Sequence, residues 1–142
     1  MYHLLQHDEV KNFVLAGNAI FTLQSGKTDR HFTYRITRCS SNSTLYKVSL
    51  LYGPDNTRYY DYIGCYYSDT NYLYLLKQWR EKPSWANPPA IRAITYFLQH
   101  LDNLPRNLYV YHTGRCARCG RLLTTPDSLI SGYGPHCRRH YE

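Results

Sequence analysis

AIFTLQSGKTDRHFTYRITR, residues 19–38, carries the decision about fold class. In HFTYRITR, Phe32, Tyr34 and Ile36 point one way and Thr33, Arg35 and Thr37 the other, the period of two that marks a strand with one apolar face. Ala19–Leu23 repeats that period, and the polar Ser25–Asp29 between the two runs supplies a turn, so the pair reads as a β-hairpin. A Ser/Asn-rich loop at Ser40–Ser43 then leads to a third strand at about residues 45–52. Gly53-Pro54-Asp55-Asn56 is strong turn chemistry, and a fourth strand occupies residues 57–67. Short connections between four strands predict an antiparallel meander rather than a parallel sheet with helical crossovers.

Helical periodicity flanks these strands. In residues 7–16, Asp8 and Glu9 sit where the positive end of a helix dipole favours acids, and Val10, Phe13 and Val14 share a face. Asp69 or Thr70 is expected to cap a short helix through Tyr74, Leu75, Leu76 and Trp79, before the proline-rich linker at 82–89. Ile91, Ile94, Phe97, Leu98 and Leu101 form the clearest apolar stripe, a helix expected to cover one sheet face. Leu108–Tyr111 is a short strand that delivers His112 to the tail. The expected class is therefore α+β: a four-stranded antiparallel meander with covering helices and a C-terminal treble-clef or zinc-ribbon-like knuckle. The expected division is an α+β domain with a Tyr-rich sheet at residues 1–107 and a zinc-binding knuckle at 108–142.

The knuckle expectation rests on HTGRCARCGRLLTTPDSLISGYGPHCRRH, residues 112–140. Cys116 and Cys119 form C-x2-C, a spacing at which a tight turn lets two thiolates face one tetrahedral ion, and Gly120 relieves that turn. Cys137 and His140 repeat the spacing as C-x2-H. Three thiolates and one imidazole would close the shell of a structural zinc, with His112 or His140 as the fourth ligand. Thr125-Pro126-Asp127-Ser128 reads as a helix start and Gly132 as its stop. Disulfides fit poorly with five cysteines and with an opening, MYHLLQHDEV, that has no basic n-region or apolar h-region. A cytoplasmic protein is expected, in a compartment where zinc is favoured over disulfides. Redox chemistry fits poorly too, since RCARCGRLL is basic and runs into turn residues. Cys39 and Cys65 lack metal spacing and read as small apolar fillers.

The same stretch, through HTGRCARCGRLLTTPDSLISGYGPHC, resembles a short zinc-knuckle domain of unknown function found in many bacteriophage and mobile-element proteins. Gly114, Arg115, Cys116, Arg118, Cys119, Gly120, Arg121, Leu123, Thr124, Pro126, Ser128, Gly132, Gly134, Pro135 and Cys137 match its pattern, with Leu129 where Ile is usual. GNAIFTL, FTYRITR and YGPDN also look like the region that often precedes that knuckle. The resemblance implies zinc, a phage or mobile-element origin within a bacterial cytoplasm, and a His at the place of His112 ahead of the knuckle. It implies no activity.

Composition bounds the function. Of 142 residues, 43% are hydrophobic and 19% charged, so the chain can build a core, and no apolar run approaches the roughly 20 residues of a membrane helix. A net charge of +7 points to an acidic partner, nucleic acid first. Arg115, Arg118, Arg121, Arg138 and Arg139 crowd the ligands, some of them neutralising the formal −1 of three thiolates on zinc. Arg30, Arg35, Arg38 and Lys47 extend the positive surface across the sheet. The 16 tyrosines, Tyr59, Tyr60, Tyr66 and Tyr67 among them, offer stacking platforms for single strands, though alternation exposes only about half together. The expected function is a zinc-stabilised accessory protein that binds nucleic acid. The alternative is a non-enzymatic interaction module that inhibits a host-defence nucleoprotein, using exposed Tyr, Trp and Arg as anchors. No catalysis is expected. His7-Asp8-Glu9 imitates the H-x-E of a zinc deaminase, but Arg115 replaces the Pro of P-C-x-x-C, and an HNH-like nuclease needs more carboxylates than Asp127 and Glu142.

Overall fold

The computed structural model describes residues 3–39, 44–52, 58–83 and 88–134. The Ser40–Ser43 loop, the Gly53–Asn56 turn, the centre of the proline linker, and His136, Cys137, Arg138, Arg139 and His140 lie outside the described residues.

Among the described residues seven strands form one antiparallel sheet: β1 (His3–Leu4), β2 (Asn18–Ser25), β3 (His31–Arg38), β4 (Leu45–Leu51), β5 (Tyr60–Tyr67), β6 (Tyr72–Leu75) and β7 (Leu108–His112). Their order is β1-β7-β2-β3-β4-β5-β6. The helices are few and short: α1 (His7–Val14), α2 (Lys77–Arg80), α3 (Pro89–Gln99) and α4 (Pro126–Ser131). This corrects the α+β expectation of a four-stranded meander with covering helices and a treble-clef or ribbon-like tail; the architecture is mostly β. The expected hairpin and the two strands after it are present, and three further strands extend the sheet at both edges. Residues 72–75 extend as β6 because Tyr72 and Tyr74 face one side and Leu73 and Leu75 the other. Asn71, at φ 56°, turns the chain tightly back from β5, so no helix starts at Asp69. β7 enters the sheet between β1 and β2, pairing Phe21 with His112 and Ser25 with Leu108. β1 adds the outer edge, with His3 opposite His112.

The core lies on one face. Ala19, Phe21, Leu23, Tyr34, Ile36, Tyr46, Val48, Ile63, Tyr66 and Val110 point there and are buried. From α3, Ile91, Ile94, Phe97 and Leu98 meet them, with Phe97 5.5 Å from the Phe21 ring. Each such side chain contributes about 1.5–3 kcal/mol on burial. One core tyrosine holds the helix by its hydroxyl, Tyr34 donating to the Ala90 carbonyl at 2.6 Å, while the Tyr66 hydroxyl donates to Asn71 Oδ1 at 2.8 Å with the Leu98 carbonyl 3.3 Å away. Burial alone pushes the Tyr34 hydroxyl far above its ordinary range, which keeps it a donor. From α1, Phe13 packs on His112 and Tyr133, joining the tail to the same core.

A bulge resets β5. Ser49 pairs with Tyr62 and Val48 with Gly64, leaving Ile63 as the additional residue. Gly64 is required there, since a Cβ would run into the Tyr74 carbonyl oxygen and lie 3.1 Å from the Leu75 Cα.

Candidate nucleic-acid interface and metal knuckle

The second face of the sheet shows its own chemistry. Register places Asn18, Ile20, Thr22 and Gln24 of β2, His31, Thr33, Arg35 and Thr37 of β3, and Lys47 and Ser49 of β4 on it. Tyr60 and Tyr62 join them before the bulge, Cys65 and Tyr67 after it, then Tyr72 and Tyr74 of β6 and Tyr109 and Tyr111 of β7. None of these strand residues is a carboxylate. The ring contacts that Phe13 and Phe97 make with the sheet, and the tyrosine hydroxyl bonds to Leu15, Ala90 and Leu98, lie on the opposite face.

A cavity of ≈ 360 Å³ opens in the middle of this surface. Arg35, Lys47 and Arg58 line it, together with the hydroxyls of Thr37, Ser49, Tyr60 and Tyr62. The Lys47 ammonium sits 4.7 Å over the Tyr62 ring. The Tyr62 hydroxyl meets the Cys65 sulfur at 2.8 Å, and that bond, with some burial, pushes its pKa up to about 12. It therefore stays neutral at physiological pH. Arg35 reaches Asn18 at 3.4 Å while its Nε has no hydrogen-bond partner. On the helical side Lys11 bridges to Asp102 at 2.7 Å, whereas Arg35 and Lys47 have no carboxylate partner among the described residues. A shallower depression of ≈ 290 Å³ lies nearby, between Thr22, Gln24, His31 and Tyr111. Beyond the cavity the rings of Tyr67, Tyr72 and Tyr74 cluster, with centroids 4.4 Å apart for Tyr72 and Tyr74 and 5.4 Å for Tyr67 and Tyr74.

Next to the start of β2 stands the knuckle. The Ala117 carbonyl accepts from Asn18 N–H at 2.8 Å, and Gly120 N–H donates to the Cys116 carbonyl at 2.9 Å, closing the turn. Gly120 needs its left-handed φ of 77°. Arg115 and Leu122 form an isolated antiparallel bridge below it. Burial tends to raise the Cys116 thiol, but N–H groups of Cys119, Gly134 and Arg118, with the Cys119 side chain, outweigh it and bring the pKa down to about 7. Donors converging on one sulfur suit a thiolate, the form in which Cys binds metal. Cys116 is buried and Cys119 exposed, both unbridged. They fit as half of a structural zinc site. The other expected donors, Cys137 and His140, lie outside the described residues, and among the described residues no three His, Cys, Asp or Glu side chains cluster.

His112, the other candidate fourth ligand, has both ring nitrogens engaged. Gly114 N–H donates to Nδ1 at 3.1 Å, so the proton is on Nε2, which bonds the Leu129 carbonyl at 2.6 Å. Desolvation holds its pKa below the ordinary value, and the neighbouring His3 acts in the same direction. The ring stacks on His3 at 5.2 Å. It works here as a buried strut between β7 and α4. That short helix is capped as expected, with Thr125 and Ser128 exchanging side-chain bonds and Gly132 at φ 80°.

The remaining expected residues are dispersed. Arg35 and Tyr60 meet at the cavity. Arg38 faces the other way and bonds the Leu15 carbonyl and the Tyr46 hydroxyl, each at 3.0 Å. Tyr66 is in the core, and Tyr59 packs edge-on against Tyr52. Arg115 holds the Gly120 carbonyl at 3.2 Å, whereas Arg118 and Arg121 line a ≈ 570 Å³ recess beside the cysteines. Sequence reasoning passed over Tyr62, Arg58, Tyr72, Tyr74, Tyr109 and Tyr111. Period-two alternation in YLYL and LYVYH was the available signal.

No described helix is long and apolar enough to cross a membrane. Neither the comparison with curated proteins nor that with solved structures returned a match. Residues 106–142, about a quarter of the chain and including the knuckle, match the model of a family of unknown function (DUF6011), a likeness that speaks for that segment alone.

Proposed function

We propose that this protein is a nucleic-acid-binding accessory protein of phage or mobile-element type, non-enzymatic, whose sheet makes the contact and whose knuckle is stapled by zinc. One observation carries the reading: a broad sheet face of tyrosines and cations, none of whose strand residues is a carboxylate, around a cavity lined by Arg35, Lys47 and Arg58. Nucleic acid supplies the matching partner, a polyanion with π-faced bases. In the tail, Cys116, Cys119, Cys137 and His140 are the residues we assign to zinc. His112 is left out of that set because its nitrogens are already bonded to backbone. Zinc in such a shell supplies a cross-link rather than a reactive centre. Arg118 and Arg121 offset its charge and extend the positive surface towards Asn18 and Arg35.

The test is oligonucleotide affinity as a function of salt. About four phosphate contacts, at a slope of roughly −0.7 to −0.9 each, predict a loss of about 50- to 150-fold between 50 and 200 mM salt. Absence of binding at low salt overturns the proposal.

A further inference from the structure

We propose that the Arg35–Lys47–Arg58 cavity seats a backbone phosphate of a single-stranded nucleic acid whose neighbouring bases stack on Tyr67, Tyr72 and Tyr74. This rests on the nucleic-acid reading above and adds to it a strand state and a contact point.

The cavity wall selects the ligand. Its three cations and four hydroxyls can all donate hydrogen bonds, and among the described residues its lining holds no carboxylate or amide. A ligand with acceptor oxygens and negative charge suits such a wall, and above all the Arg35 Nε and the Lys47 ammonium, which describes a phosphodiester. A nucleoside base, with mixed donors and acceptors, does not. Arg35 arrives from β3 with its Nε unsatisfied, and Lys47 arrives from β4 already leaning on the Tyr62 ring. Neither has an acid to neutralise it among the described residues.

Strand state follows from the rings. Lys47 stands opposite Cys65 on β5, and Cys65 opposite Tyr74 on β6, so the cation and the ring cluster are two strand spacings apart, roughly 10 Å. Tyr72 and Tyr74 are about half exposed, at 49% and 55%. A duplex turns its phosphates outward and keeps its bases stacked on one another, so it could fill the cavity but would leave the rings unused. A single strand engages both, one phosphate in the seat and adjacent bases on the rings. The face from β7 to β6 spans five strand spacings, roughly 24 Å, enough for a few nucleotides of extended chain.

The experiment compares fluorescence anisotropy of a 12-nucleotide single strand with that of a duplex of the same sequence, at one salt concentration. Proteins are the full chain, Lys47→Glu, the double variant Tyr72→Ala/Tyr74→Ala, and Lys11→Glu on the helical side as a charge-matched control, each checked for folding by circular dichroism. Expected are single-strand binding at least tenfold tighter than duplex, a loss on the order of tenfold for Lys47→Glu with a shallower salt slope, and a loss on the order of tenfold for the tyrosine pair on the single strand only. Duplex binding as tight as single strand, or Lys47→Glu no weaker than Lys11→Glu, overturns this inference while leaving nucleic-acid binding standing. Binding to neither probe overturns both.

Discussion

Replacing Gly132 by Ala tests whether the tail and the sheet share one core. Gly132 ends α4 at φ 80°, where an L side chain costs about 1–2 kcal/mol. The space is also taken: a Cβ there would press on the Cδ2 and Cε2 atoms of Phe13 and sit 3.6 Å from Leu5. Phe13 is fully buried between His112 and Tyr133, so its ring cannot swing into solvent. Overpacking of that kind costs a further 1–3 kcal/mol or so, about 2–5 kcal/mol in all. At about 3–4 °C per kcal/mol for a chain of this size, Tm falls by about 6–20 °C. Gly134→Ala is the internal control. Among the described residues no heavy atom lies within 4 Å of the added Cβ, so its change should stay within about 0.5 kcal/mol. The assay is thermal unfolding by circular dichroism of the sheet signal, with urea midpoints as a second measure. If the two alanine variants unfold together, or Gly132→Ala melts only the tail and leaves the sheet transition in place, the shared-core argument is refuted.

Acid should destabilise the fold through His112. Its folded pKa lies below the ordinary 6.5, so above that pH the ring is neutral in both states; as pH falls below it, the unfolded chain binds a proton the folded one resists, and stability drops. Urea midpoints from pH 7.5 to 5 should decline, and His112→Asn should flatten the profile; parallel slopes would remove His112 from the account. Metal analysis should find one zinc per chain, lost in Cys116→Ser. Because such binding energies are on the order of 10 kcal/mol, chelation should open residues 114–134 to protease and lower the melting temperature of the sheet with them; unchanged resistance would count against the zinc staple.

Much of the sheet was legible, for reasons visible in particular residues. HFTYRITR alternates without interruption and became β3 at its expected bounds. α4 carried its start and stop in Thr125, Pro126 and Gly132. β6 was obscured because Tyr74, Leu75, Leu76 and Trp79 fit a helical stripe as well as Tyr72–Leu75 fits a strand, and four residues give too few repeats to choose. β1 has two residues, and only pairing with β7 defines it. Of the named tyrosines, Tyr60 and Tyr67 lie on the open face and Tyr66 does not, for a different cause. Strict alternation puts Tyr60, Tyr62 and Tyr66 on one face, but the extra Ile63 sends Tyr66 into the core and turns Tyr67 out with Tyr62. Such a bulge depends on the register of the neighbouring strand, which a single sequence does not display. His112 stood beside His140 as a candidate fourth ligand; its backbone partners are not visible in the sequence, since Leu129 becomes its neighbour only when α4 folds back.

The position of β7 also sets an order of events. β2 to β6 pair through near neighbours in the chain and can assemble early, whereas β7 must cross a long loop to reach β2 and so closes late. Until it does, β1 has no partner, Phe13 lacks the His112 ring, and Tyr109 and Tyr111 are missing from the tyrosine face. A partly folded chain therefore exposes a raw β2 edge, a point of entry for a second molecule's strand. Proteins refolded at high concentration should be most prone to exchange β7 between copies, and a ligand that recognises the finished face would bind only once a β7, from the same copy or the other, has paired with β2.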